Sequence, residues 1–263
     1  AGVITNSPMD TAAFWTNRIQ NGDNVIMTPV QVKTFNQKIY QASPSTADLA
    51  ALPATIDSTS FKKTLTDYSA ISDTVYKAGT KVEQAYKDNL IANTNAEQIP
   101  AQVQIRYGVI TQHCNMRILP TEDDLFDEPD DIYYDDLQDT TLEIGEPVVI
   151  YHTSKDGLFY YVQLHNYQGW VKAGNITLAK KTDWLIYVQP VSFLMVVDKE
   201  YFLPLSGQEL YCQMCTRLPL QTASGSGYTV TAPTRNSQGF LKETKTTLAK
   251  SSALHEGYLP YTT

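Results

Sequence analysis

The side chains best equipped for chemistry in this chain are three cysteines and four histidines, and their spacing gives them little to do. Cys212-Gln213-Met214-Cys215 is a CxxC. A redox pair of this form should open a helix after a strand, because the helix end lowers the first thiol pKa. Here the pair lies between strand-like segments and encloses a bulky Met. A zinc site needs two further ligands at suitable spacing, and no second CxxC exists. These thiols therefore read as packing groups, and whether Cys212 pairs with Cys215 is open. His113 and Cys114 are adjacent, and adjacent strand residues point to opposite faces. They do not make a nucleophile pair, although a dyad of Cys114 with a distant histidine stays open. His113, His152, His165 and His255 are scattered and form no HExxH or HxH. No catalytic residue, no metal ligand and no cofactor is expected.

The acidic run is the other candidate. It comprises Glu122-Asp123-Asp124, Asp127-Glu128, Asp130-Asp131 and Asp135-Asp136. It lacks the regular carboxylate spacing and closing Glu of a calcium loop. A solvated acidic loop is one reading, and a surface for an amine-bearing ligand is the other. Leu125, Phe126, Ile132, Tyr133 and Tyr134 make it more than a charge run and should anchor it on its own domain or on a partner. Asp130 and Asp131 would accept hydrogen bonds from a peptide amine, and Tyr133 and Tyr134 would supply a stacking wall. Tyr160, Tyr167 and Trp170 extend this aromatic set, with core packing the stronger reading for Trp170. The substrate-binding candidates are Asp130, Asp131, Tyr133, Tyr134 and Tyr167. Tyr outnumbers Phe 17 to 8, which favours surfaces that stack and hydrogen-bond together.

A net charge of -8 and no dense basic cluster argue against nucleic acid or anionic lipid as a partner. No run of 18 apolar residues exists, so no membrane span is expected.

The elements that must position these residues change character along the chain. From 30 to 92 the pattern is helical. Val30, Phe35, Ile39 and Tyr40 recur near a period of 3.6, then Phe61, Leu65 and Tyr68, then Val82, Tyr86 and Leu90. Ser58-Thr59-Ser60 offers caps for the second helix. From Ala101 the period drops to two, through Val103, Ile105, Tyr107 and Val109. A strand at Pro147–His152, a hairpin turn at Asp156-Gly157, and strands at 158–162 and 170–172 follow, closed by Ile176–Leu178. Short strands and tight turns over this length indicate a small barrel. Residues 184–250 repeat that character, as a second barrel or as part of a larger irregular sheet. The expected class is α+β: a small N-terminal helical unit (1–100), then two SH3-like barrels (101–183 and 184–252), then a connector (253–263).

The same segments resemble the SH3b-containing, non-catalytic part of NlpC/P60-type cell-wall cysteine peptidases. The matching residues are Met116-Arg117-Ile118-Leu119-Pro120-Thr121-Glu122-Asp123-Asp124 and Gly145-Glu146-Pro147-Val148. They continue through His152-Thr153-Ser154-Lys155-Asp156-Gly157, Tyr160-Tyr161-Val162-Gln163 and Tyr167-Gln168-Gly169-Trp170-Val171. Gly257-Tyr258-Leu259-Pro260-Tyr261-Thr262 resembles the entry into the peptidase domain. The resemblance implies SH3b barrels in the periplasm or cell envelope. It implies peptidoglycan or its stem peptides as ligand, and a C-terminal NlpC/P60 catalytic domain, absent here, that cleaves near D-γ-Glu bonds. Such a domain carries Cys in an Asp-Cys-Ser-Gly context. Here Asn115 follows Cys114 and Thr216 follows Cys215, so neither cysteine matches. The expected role is stem-peptide recognition and scaffolding. A stand-alone envelope adaptor and a self-sufficient cysteine hydrolase using Cys114 or Cys215 remain as alternatives.

Overall fold

Helical periodicity before residue 93 and strand periodicity after 101 both emerge in the computed structural model, which describes residues 7–43 and 45–258. Residues 259–263 of the expected connector lie outside the described residues. Among the described residues the fold is mixed α+β and divides into one unit of residues 7–42 and a second of residues 43 and 45–258.

In the first unit, Ser7 and Asp10 cap a short turn reciprocally, at 3.2 and 3.0 Å. Two helices follow, α1 (Ala12–Thr16) and α2 (Pro29–Ala42). The stripe on α2 is real, but no residue of that helix is buried.

The second unit begins with β1 (Thr55–Asp57) and α3 (Thr59–Tyr68). The hydroxyl of Ser58 makes no cap bond; the Asp57 carboxylate instead accepts from the Thr59 N–H at 2.9 Å. Phe61 and Leu65 are buried, whereas Tyr68 faces solvent. Next come the hairpin β2 (Tyr76–Lys77) and β3 (Thr80–Lys81), then α4 (Gln84–Asn93). The hairpin falls between the second and third of the three expected helices, in a stretch whose apolar spacing predicts no strand. β4 (Gln102–Gln104) pairs back on β1.

Seven strands form the main sheet: β5 (Arg106–Ile110), β6 (Cys114–Arg117), β7 (Gln138–Leu142), β8 (Pro147–Thr153), β9 (Phe159–Gln163), β10 (Gln168–Lys172) and β11 (Ile176–Ala179). Their order is β11-β5-β8-β9-β10-β6-β7. Alternation decides the two faces. Phe159, Tyr161 and Trp170 pack with Phe61 and Leu65 of α3 and with Trp184 of α5 (Lys181–Val188). Val162 and Val171 point the other way, into a core to which all seven strands contribute, including Met116, Leu142, Ile150 and Ile176. Gly169 permits the crossing of β10 over β6: a Cβ there would lie 2.5 Å from the Met116 side chain.

The remaining strands are β12 (Phe193–Val196), β13 (Glu200–Leu205), β14 (Gln208–Gln213), β15 (Arg217–Ala223), β16 (Gly227–Arg235), β17 (Leu241–Ala249) and β18 (Leu254–Glu256). They make a separate five-stranded sheet, β17-β16-β15-β12-β18, and the β13-β14 hairpin. The β7–β8 turn ties the two sheets together. Its Ile144 is fully buried in the second core, beside Leu218 and Val230. Glu143 accepts from the Gln213 N–H and the Thr216 hydroxyl, both at 3.1 Å, and its other oxygen meets the His113 ring at 2.6 Å. Gly145 holds φ +90°, and a Cβ on it would strike the Arg217 carbonyl at 2.8 Å.

Candidate recognition site on the acidic loop

The acidic run is the β6–β7 connection, and one buried cation organises its base. Arg117, at the end of β6, is 4% exposed. Its guanidinium pairs with Asp135, donates to the carbonyls of Thr121 (3.2 Å) and Asp123, and lies 3.5 Å from Asp124. Asp135 in turn accepts from the N–H groups of Leu125 and Leu137, at 3.1 and 3.0 Å. Both ends of the loop are thereby gathered on one charge pair.

The loop also has a wall of its own. Leu125 is fully buried with Leu119, Leu137, Val75, Val82 and Leu90. Tyr76 of the β2–β3 hairpin and Phe126 exchange both backbone hydrogen bonds, at 2.8 and 2.9 Å. Asp123 meets Lys77 at 2.6 Å and accepts from the Tyr86 hydroxyl. Burial works against the charge of Asp123, but Lys77, Tyr86 and Arg117 outweigh it and hold the carboxyl below its ordinary value. Asp136 is pushed the other way, by burial and then by the neighbouring Asp127.

Anchoring stops there. Leu125 and Phe126 pack as expected, whereas Ile132, Tyr133 and Tyr134 do not: they are 72%, 81% and 79% exposed. The reason is local. Asp131 turns the chain outward by accepting from the Tyr133 and Tyr134 N–H groups, at 2.8 and 3.4 Å. Asp130 is exposed beside them. Four of the five candidates therefore share one projecting tip. Tyr167 does not join them. It lies in the β9–β10 turn, whose His165 carbonyl accepts from the Ala47 N–H at 2.9 Å. No hydrogen bond or ring contact links Tyr167 to the tip among the described residues. The wider aromatic set is not one wall either. Trp170 is fully buried, edge-on to Tyr161 at 5.3 Å, and Tyr160 lies under Arg106 at 4.7 Å.

A polar groove of about 310 Å³ runs beside the loop base, lined by His113, Asn115, Thr121, Glu122, Lys172 and Asn175 among others. Glu122 and Lys172 meet at 2.6 Å at this groove. No local sequence pattern marks this groove, because its lining comes from segments about 50 residues apart.

Nothing in the geometry activates a cysteine. Burial pushes the thiols of Cys114 and Cys212 up to about 12, opposite to what a thiolate nucleophile requires. Cys215 is exposed and free. The histidine rings are engaged elsewhere: His113 with Glu143, His152 with the Asn95 carbonyl, and His255 with the Gly257 carbonyl. Among the described residues, no cluster could hold a metal ion, and no helix is long and apolar enough to cross a membrane.

The family model for the SH3 domain of SH3b1 type matches residues 124–172, the span from the loop base through β10. That span is an SH3b-like region. The structure of a novel NlpC/P60 endopeptidase from Photobacterium damselae subsp. piscicida is similar over 93% of this chain, with a TM-score of 0.62 and 16% identity. At that identity the likeness is one of fold. This chain spans 57% of the length of that structure. An NlpC/P60 family protein from Bacillus cereus matches 46% of this chain and 39% of its own, at 19% identity and a TM-score of 0.35. No curated protein matches in sequence.

Proposed function

We propose that this chain is the non-catalytic part of an NlpC/P60-type cell-wall hydrolase. In this reading it works in the periplasm or cell envelope, where it recognises peptidoglycan stem peptides and scaffolds a C-terminal catalytic domain acting near D-γ-Glu bonds. The observation that carries the reading is the fold likeness over 93% of the chain to an NlpC/P60 endopeptidase structure. The SH3b-type match within it supports the same assignment. Residues 184–252 would be a second SH3b-like barrel, divided from the first near residue 183, with the helical part ending near 100. The high thiol pKa of Cys114 and Cys212 supports placing the chemistry on another domain.

The acidic tip is the proposed contact for the free amine of a stem peptide. Carboxylates attract the ammonium, and Tyr133 and Tyr134 give its neighbours an apolar face. Cosedimentation of the purified chain with purified peptidoglycan tests this. The parent chain should pellet with the wall material. A variant with Asp130→Asn, Asp131→Asn, Tyr133→Ala and Tyr134→Ala should bind several-fold more weakly. Exposed ion pairs contribute only about 0.2–1 kcal/mol each, so a complete loss is not expected from one carboxylate. Asp130, Tyr133 and Tyr134 are exposed and Asp131→Asn keeps an acceptor for the Tyr133 N–H, so the variant should keep its stability within about 0.5 kcal/mol. A parent chain that stays in the supernatant, or a variant that pellets as well as the parent, would overturn the reading.

A further inference from the structure

Helices α3 and α4 end on a second concavity, remote in character from the acidic loop. It measures about 730 Å³, within the usual range for small-ligand sites. Leu65, Ala70, Ile91, Ala92 and Ala96 supply an apolar lining of mostly small side chains. The hydroxyls of its wall are satisfied internally. The Ser69 hydroxyl donates to the Leu65 carbonyl and the Thr94 hydroxyl to the Ile91 carbonyl, both at 2.6 Å. Asn95 is held left-handed at φ +55°, with its carbonyl accepting from the Gln98 N–H at 3.0 Å and meeting the His152 ring at 3.2 Å. The wall is therefore preformed.

Two charged side chains of the lining differ. Lys155 comes from the β8–β9 turn and Glu97 from the short turn after α4, and both are exposed. Among the described residues neither side chain has an ion-pair or hydrogen-bond partner. The adjacent Asp156 does not serve Lys155, because it accepts from Ser154, Leu158 and Asn93. A largely apolar lining, three of its five apolar residues alanines, with one free cation and one free anion is complementary to a small molecule that carries both charges around apolar groups.

We propose that this groove binds a short peptide with free ends and small apolar side chains. Its carboxylate would lie at Lys155 and its ammonium at Glu97. The inference is independent of the wall-hydrolase reading. Lys155 has a competing role, since a cation near the C-terminus of α4 is favourable without any ligand. The experiment must separate the two.

The full chain should be titrated by NMR with trialanine, its C-terminal amide and its N-acetyl derivative. Trialanine should shift the backbone amides of Ala70, Ile91 and Ala96 saturably. The amide and the acetyl derivative should each bind roughly three- to fivefold more weakly, the scale of one exposed ion pair. Lys155→Gln should erase the acid-over-amide preference, Lys155→Arg should keep it, and Glu97→Gln should erase the free-amine preference. The proposal fails if no saturable shift occurs at these amides up to about 10 mM, a range that covers weak peptide sites. It fails equally if acid and amide titrate alike. A Lys155→Gln chain that loses melting temperature yet keeps the acid-over-amide preference would mark Lys155 as a helix-end charge and overturn the assignment.

Discussion

An Arg117→Ala chain is expected to unfold at a markedly lower denaturant midpoint, with a loss of about 3–5 kcal/mol, the usual cost of removing one partner of a buried ion pair. The magnitude follows from what the guanidinium leaves behind. Asp135 would keep its two backbone donors but lose its counter-ion, and the carbonyls of Thr121 and Asp123 would lose theirs. Asp124 lies beside the same group, and burial followed by the Asp135 charge already raises its carboxyl pKa. Without Arg117 that repulsion has no opposing charge. The loop should then open from its base, and limited proteolysis should cut first within residues 122–136. Asp135→Asn keeps an acceptor for Leu125 and Leu137 and should cost less than Arg117→Ala. If both variants unfold with the parent, the loop is held by Leu125 and the Tyr76–Phe126 pair alone.

That dependence explains what was and was not legible in the sequence. The acidic run announced a surface feature, and its Leu125 and Phe126 announced an anchor. Arg117 stands in the sequence only within the Met116–Asp124 match, and nothing there points to its partner Asp135, 18 positions on. The wall against which the loop packs was hidden for a related reason. Val82 and Leu90 belong to the third helical stripe and Val75 to none, and the β2–β3 hairpin between Val75 and Val82 has no mark of its own. Ile132, Tyr133 and Tyr134 leave one of two readings: the turn made by Asp131 directs them outward, which removes packing on their own domain and keeps a surface for a ligand or a partner. Along β9 and β10 the reading succeeded, because Phe159 to Val162 alternate cleanly between two buried faces. α5 was missed: Trp184, Tyr187 and Val188 are buried, and an apolar segment of that length reads equally well as strand.

The largest pH effect should come from Glu146, in the turn that joins the two sheets. Burial raises its carboxyl to about 7; the Glu143 N–H and Arg217 oppose the shift, and the Glu143 carboxylate adds to it. A carboxyl raised in the folded state prefers to be protonated there. Its stabilising contribution is complete below the ordinary value of 4.5, and it is lost as pH rises through about 7. Glu146→Gln keeps an acceptor for the Glu143 N–H, 3.0 Å away in the parent, but cannot ionise. The variant should match the parent at pH 4.5 and exceed it at pH 8. One pKa unit is worth about 1.4 kcal/mol, and partial solvent access reduces the sum, so a gain of about 2 kcal/mol is expected. Denaturant midpoints of both proteins across that range provide the measurement. Parallel pH profiles would show that Glu146 is already charged at low pH and well solvated. A profile that diverges as described would place an ionising group at the joint where Ile144 enters the second core and Glu143 caps the Gln213–Thr216 turn. Above neutrality the joint would then be the weakest part of the β-rich region, and opening there would separate the sheets while each kept its own core.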